Sequence, residues 1–281
     1  MKIDIIDKYG TYQIKDIGDF DSDTIFDCGQ CFRWAKIGDY WHGISLDKTA
    51  KVKTIDDGIE LICKNDDLDY WIDYLDLKYD YDTAKEQLLS DRDIAPMVDK
   101  IPGMRFLNQD FYECLMHFII SANNNIKRIR VIIERISKAY GEEIGEDIYA
   151  FPKAAILAAC TPEDMKECGA GYRAPYIVET AMMVAEGYDY THLYTKDLYV
   201  ARKELTMFKG VGIKVADCVL LFALKRKDAF PVDTWIRKVM HNLYNDTSLS
   251  DNRIREIAWE RFGRNSGLAN QYLFHINRVG L

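Results

Sequence analysis

The stretch FKGVGIKVADCVLLFAL, residues 208–224, decides how this chain folds. Gly210 and Gly212 close one apolar-periodic segment, DLYVARKELTM, and open another, IKVADCVLLFALK. Glycine permits a tight turn and close approach by another backbone, so the pattern predicts a helix, a Gly-Val-Gly turn and a second helix. Lys214 then falls in the first turn of that second helix, where the dipole already places partial positive charge. On a helix it shares a face with Cys218 and Leu221, while Val215, Val219 and Phe222 form a neighbouring stripe. Apolar surroundings and a positive helix end both disfavour an ammonium, so the pattern predicts a lysine that gives up its proton readily and can act as a nucleophile. Asp217, at i+3, is within reach to pair with it. Most lysines at helix starts are simply solvated, and many helical hairpins contain glycine, so the turn alone does not decide the chemistry.

Further along comes Phe230-Pro231-Val232-Asp233-Thr234-Trp235. Asp233 precedes an apolar helical pattern and reads as an N-cap, a role that also keeps a carboxylate ionised. The chain must reverse through Lys225-Arg226-Lys227-Asp228, which returns Asp233 beside the start of the Lys214 helix. A neutral amine and a fixed carboxylate at one cleft suit a cationic transition state. The exposed amides after the turn can hold a phosphate.

The chain's 281 residues allow one large domain or two ordinary ones. The first residues lack a signal-peptide layout, and no apolar run is long enough to span a membrane. Seven cysteines, an odd number, suggest reduced thiols and a cytoplasmic protein. Cys28-Gly-Gln-Cys31 has redox-motif spacing but no second such pair to complete a zinc site, so no metal is expected. The net charge of −8 is uneven: residues 201–281 carry 14 Lys and Arg against 8 Asp and Glu, and the first 200 carry 23 against 37. A local basic surface on an acidic chain is compatible with a nucleic-acid partner, as it is with an ordinary solvated surface.

TYQIKDI (11–17), FRWAKI (32–37), YWHGISL (40–46), AKVKTI (50–55) and GIELICK (58–64) are short β-branched and aromatic runs separated by turn residues, which predicts an antiparallel meander. Residues 81–101 are helical in composition, and Pro102-Gly103 is a break. Beyond it the periodicity is helical, with Asn123-Asn124-Asn125 interrupting one long pattern. The expected fold class is α+β: an N-terminal β-rich domain over residues 1–104, then a helical domain over 105–281. The hairpin lies near 199–224 and the aspartate loop near 230–235.

GVGIKVADC followed by PVD resembles the helix-hairpin-helix DNA glycosylases. FDCGQCFRW, SANNNIKRI (121–129), GAGYRAPYI (169–177) and GLANQYLFHINR narrow the resemblance to the 8-oxoguanine DNA glycosylases, and these segments span residues 26 to 278 in order. The resemblance implies a TBP-like N-terminal sheet and a bifunctional enzyme that excises the base and cleaves the strand. Lys214 matches the nucleophile that forms a Schiff base, and Asp233 the carboxylate that stabilises the oxocarbenium charge. Gly29 resembles the glycine whose carbonyl accepts the N7–H of 8-oxoguanine. Cys218 and Phe274 match residues that sandwich the flipped base, and Pro231 and Asn270 are assigned to the same pocket. Asn123 resembles the residue that fills the vacated space, Arg128 and Arg173 the readers of the estranged cytosine, and Tyr172 the wedge beside it. Gly210, Val211 and Gly212 are assigned to the DNA backbone. Read without the resemblance, Asn123 is a helix cap, Tyr172 a core aromatic and the two arginines solvated surface groups.

Asn270 stands where eukaryotic members place glutamine, with Gln271 adjacent; Trp235 and Asn277 replace a histidine and an acid. The implied partner is double-stranded DNA containing oxidised guanine. The enzyme is expected to be a prokaryotic monomer with no cofactor and no membrane association. An endonuclease III-like reading fails because Cys218 is the last cysteine, leaving no iron–sulfur ligands after it. Lys214 argues against a monofunctional alkylbase glycosylase, and a binding module without chemistry leaves Lys214, Asp233 and Gly29 unexplained together.

Overall fold

The computed structural model describes residues 3–280. Strands β1 (Asp4–Asp7), β2 (Thr11–Lys15), β3 (Trp34–Ile37), β4 (Tyr40–Ser45), β5 (Lys48–Ile55) and β6 (Gly58–Ile62) form one antiparallel sheet in the order β1-β2-β6-β5-β4-β3. The expected meander holds from β3 to β6, but β2 pairs with β6 rather than β3, with Tyr12 opposite Leu61. The residues between β2 and β3 are occupied by α1 (Ser22–Asp27), which lies on the sheet with Phe26 stacked 3.9 Å from Trp34. That face buries Ile14, Trp34, Val52, Ile59 and Leu61. Neither β1 nor α1 is visible as periodicity: all four residues of β1 are exposed, and α1 has six residues.

The helical stretch 81–101 is two helices, α3 (Tyr81–Leu89) and α4 (Ala95–Lys100), preceded by α2 (Leu68–Tyr74). The Asp91 carboxylate draws the amides of Asp93 and Ile94 into a turn that breaks the run. At the centre of the helical part lies α5 (Phe111–Ser121), flanked by α6 (Ile126–Tyr140). Leu115, Met116, Phe118, Ile119 and Ile120 of α5 are all buried. After a short hairpin, β7 (Glu143–Gly145) and β8 (Ile148–Tyr149), come α7 (Ala154–Ala158), α8 (Pro162–Glu167), α9 (Ala174–Ala185) and α10 (Leu198–Leu205). The chain closes with α11 (Ile213–Phe222), α12 (Thr234–Tyr244), α13 (Asp251–Phe262) and α14 (Ser266–Val279).

Two apolar cores result, one under the sheet and one among the helices, and Cys28 and Phe32 belong to the helical one. Buried polar groups stitch the two together. Gln30 donates to the Arg105 carbonyl and accepts from the Leu107 amide, and its own carbonyl accepts from Gln109. These bonds hold the loop that carries Gly29 against the helices. The Glu113 carboxylate of α5 likewise accepts from Ser45 Oγ and the Leu46 amide of the sheet.

Candidate active site

The predicted hairpin is α10, the Gly-Val-Gly turn and α11. Gly210 has φ +79°, and a Cβ there would come within 2.5 Å of the Tyr176 ring, so both backbone and space require glycine. Val211, between the two glycines, buries its side chain, and its amide donates to the Phe208 carbonyl. Gly212 is the N-cap and offers no capping side chain, so the first-turn amides after it remain open to an outside acceptor. Asp217 does not pair with Lys214. It is fully buried and accepts from Arg202 of α10 at 2.6 Å and Arg255 of α13 at 2.7 Å, tying three helices behind the turn.

Lys214 is half-buried, with its ammonium nitrogen 5.1 Å from the centre of the Phe118 ring. Asp233 caps α12, its carboxylate accepting from the Ile236 amide at 2.8 Å. The two residues line two adjoining spaces. An inner pocket of about 70 Å³ and an outer cleft of about 630 Å³ share Gly29, Phe118, Lys214, Asp233 and Phe274 in their walls. A molecule lying across both spaces is therefore beside both the lysine and the carboxylate.

The inner pocket is completed by Cys28, Cys218, Phe222, Pro231, Ile236, Asn270 and Gln271. Gly29 has φ +82°, a backbone that disfavours any side chain, and a Cβ there would touch the Phe274 ring at 3.4 Å. Burial pushes the Cys218 thiol up to about 11 despite nearby Lys214, so it is a neutral wall rather than a competing nucleophile. Cys28 is held up to about 11 for the same reason. Asn270 lines the pocket, but its amide donates to the Pro231 carbonyl at 2.9 Å, two residues before Asp233. Gln271 is also buried in the wall. Trp235 stands on the outer cleft, half exposed, and Asn277 returns its amide to the Leu273 carbonyl of its own helix.

Ser121, Asn124 and Asn125 form one lip of the cleft. Asn123, beside them, is exposed at φ +50° and is not a helix cap: Ala122 ends α5 and Asn125 opens α6. Tyr172 is 55% exposed rather than a core aromatic, and its hydroxyl donates to the Ala122 carbonyl. Arg173 is 3% exposed, correcting the reading of it as a solvated group. Its guanidinium donates to the carbonyls of Ala122 and Asn123 while stacking 4.4 Å over Tyr172. Arg173 thus holds the Asn123 turn in this structure. Arg128 is exposed, one turn into α6. Phe118 and Phe222 line the site although nothing in the sequence marks them as site residues. Phe118 and Phe222 read as ordinary helical core, and only packing turns them toward Lys214.

Comparison with known proteins bears on this geometry. Residues 14–115 match the sequence model of the 8-oxoguanine DNA glycosylase N-terminal domain, and residues 116–264 that of the HhH-GPD superfamily base excision DNA repair proteins. A probable N-glycosylase/DNA lyase of Methanothermobacter thermautotrophicus is 34% identical over 235 residues, covering 75% of this chain and 75% of the relative. The N-glycosylase/DNA lyase of Saccharomyces cerevisiae is 28% identical over 83% of this chain and 70% of its own. Among solved structures, the Clostridium acetobutylicum 8-oxoguanine glycosylase/lyase, bound to duplex DNA with cytosine opposite 8-oxoguanine, superposes with a TM-score of 0.93. It is 37% identical and covers 100% of this chain and 99% of its own.

Proposed function

The chain belongs to the 8-oxoguanine DNA glycosylases of the HhH-GPD superfamily, and from that membership we propose how its own residues excise the base and cut the strand. The observation that carries the reading is the shared wall: Lys214 and Asp233 line both the large cleft and the small pocket next to it. Duplex DNA lies along the cleft, with a backbone phosphate on the open amides after Gly212. The damaged nucleotide leaves the stack and its base enters the pocket, at a cost of a few kcal/mol of unstacking.

In the pocket the base lies between Cys218 and Phe274, beside Pro231. The Gly29 carbonyl accepts the N7–H that 8-oxoguanine has and guanine lacks, so the undamaged base leaves a buried acceptor unpaired. Lys214 Nζ, as the free amine, attacks C1′ while the C1′–N9 bond breaks and its electron pair leaves with the base, which is then protonated. Asp233 stabilises the cationic charge that develops on the sugar. The amine nitrogen loses its protons as the C1′–O4′ bond opens, giving a Schiff base. Loss of a C2′ proton then expels the 3′ phosphate, and water frees the lysine. Asn123 and Tyr172 occupy the space left in the duplex, and Arg128 and Arg173 face the widowed cytosine. Arg173 reaches it by exchanging the Asn123 carbonyl for the base. The protein acts as a monomer, in the cytoplasm of a prokaryote.

Borohydride trapping tests the mechanism. A duplex with one 8-oxoguanine opposite cytosine yields a covalent adduct with the wild type and none with Lys214→Gln. An abasic product without an adduct would leave Lys214 structural, and binding without either product would reduce the protein to a DNA-binding module.

A further inference from the structure

A second large recess lies apart from the active site. The sheet face opposite α1 and helix α6 enclose a groove of about 840 Å³ that shares no residue with the inner pocket and only Phe32 with the outer cleft. Its sheet wall is a cross-strand row, Ala35, His42, Lys51 and Ile62, on four consecutive neighbours. Val131 of α6 faces it from the other side, 48% exposed, and Ile37 lies at its end, 60% exposed. Apolar side chains left in water at such a recess point to something that covers them.

Charge narrows what that is. Six cations line the groove against one carboxylate, Glu134, although the chain as a whole carries −8. Arg130 and Lys138 lean on Asp27 and Asp147, but Lys51, Lys64 and Arg135 form no ion pair among the described residues. Arg33 in the wall has a side chain only 4% exposed. Its Nη2 donates to the Tyr149 carbonyl, while Nε and Nη1 have no hydrogen-bond partner among the described residues and the Glu113 carboxylate lies 3.9 Å from Nη1. A buried guanidinium with two idle donors is costly unless an anion approaches it. Phosphate alone would use the cations and waste the apolar walls, which argues against nucleic acid.

We infer that this groove binds an extended peptide segment of a partner protein in which apolar residues alternate with aspartate or glutamate. The segment lies in the groove between the sheet and α6, its apolar side chains toward Val131 on one wall and its carboxylates toward Lys51 on the other. The site stands apart from the glycosylase machinery, so a DNA-bound enzyme can still be recruited through it. This inference does not depend on the proposed chemistry.

The test uses the whole protein and a fluorescein-labelled twelve-residue peptide alternating Leu or Phe with Asp or Glu, read by anisotropy. Two controls carry lysine for the acids or serine for the apolar residues. Saturable binding of the acidic peptide alone is expected, weakened about tenfold or more by Val131→Glu and by Lys51→Glu, a loss of about 1.4 kcal/mol or more. Excision of 8-oxoguanine by both variants stays at the wild-type rate, which also shows that they fold. Equal binding of the lysine peptide, no saturation at millimolar concentration, or indifference to both substitutions overturns the inference. So does displacement by undamaged duplex DNA, or self-association of the protein that Val131→Glu abolishes.

Discussion

Asp233 caps a helix and faces a lysine, and the two tasks separate by substitution. Asparagine keeps an oxygen for the Ile236 amide but no charge, and it is as good an N-cap as aspartate. Asp233→Asn should therefore unfold at the wild-type denaturant midpoint while single-turnover excision falls about 10²-fold or more. An equal loss of stability would mean that the cap, and not the charge, is what matters. Gly29→Ala tests the opposite wall. The left-handed backbone costs a β-carbon roughly 1–2 kcal/mol, and the methyl meets Phe274 at 3.4 Å. Base excision should slow at least tenfold, while cleavage of a pre-formed abasic site, which needs no base in the pocket, stays close to wild type. Lys214 and Asp233 were legible because each breaks a local rule or sits at a punctuated one: a cation at a positive helix end and a carboxylate after Pro231. Phe118 carried no such sign, since a phenylalanine at helical spacing looks the same whether it lines a pocket or fills a core.

At the scale of elements, the hairpin depends on what lies behind it. Helix α11 would drift without Asp217, whose carboxylate is held between Arg202 and Arg255. Asp217→Asn leaves two guanidiniums facing a neutral amide and should cost about 3–5 kcal/mol in urea unfolding. Borohydride trapping should fall with it, because Lys214 rides on the same helix. Wild-type stability for that variant would show that the pair contributes nothing to holding the hairpin. The helices were mostly readable from the sequence, because their apolar stripes follow the helical period over ten or more residues. The shorter pieces were not: α1, α8 and the β7–β8 hairpin are too brief for any period to show. The Asp217 partners were also hidden, since Arg202 and Arg255 come from helices on either side of it in sequence. Spacing on one helix had offered Lys214 instead.

Across the whole molecule, the sheet and helices meet through a carboxylate. Burial pushes Glu113 up to about 7, with Arg33 only partly offsetting it. A carboxyl raised above its unfolded value favours the folded state while protonated. The stability it contributes is complete below about pH 4.3 and is lost as pH rises through about 7. The wild type should therefore lose up to about 3 kcal/mol between pH 5 and 8 relative to Glu113→Gln, at 1.36 kcal/mol per pH unit. Urea midpoints at both pH values measure it, and parallel pH profiles would rule the group out. The strand runs, the helix periods, the Gly-Val-Gly turn, Lys214 and Asp233 were set by the sequence alone, because each is a local pattern of apolar spacing, backbone freedom or misplaced charge. The pairing of β2 with β6, the approach of Lys214 and Asp233 to one pocket, the burial of Arg173 and the basic groove between the sheet and α6 were decided only in three dimensions. They join residues from distant parts of the chain, and it is close packing, not local preference, that selects which of them meet.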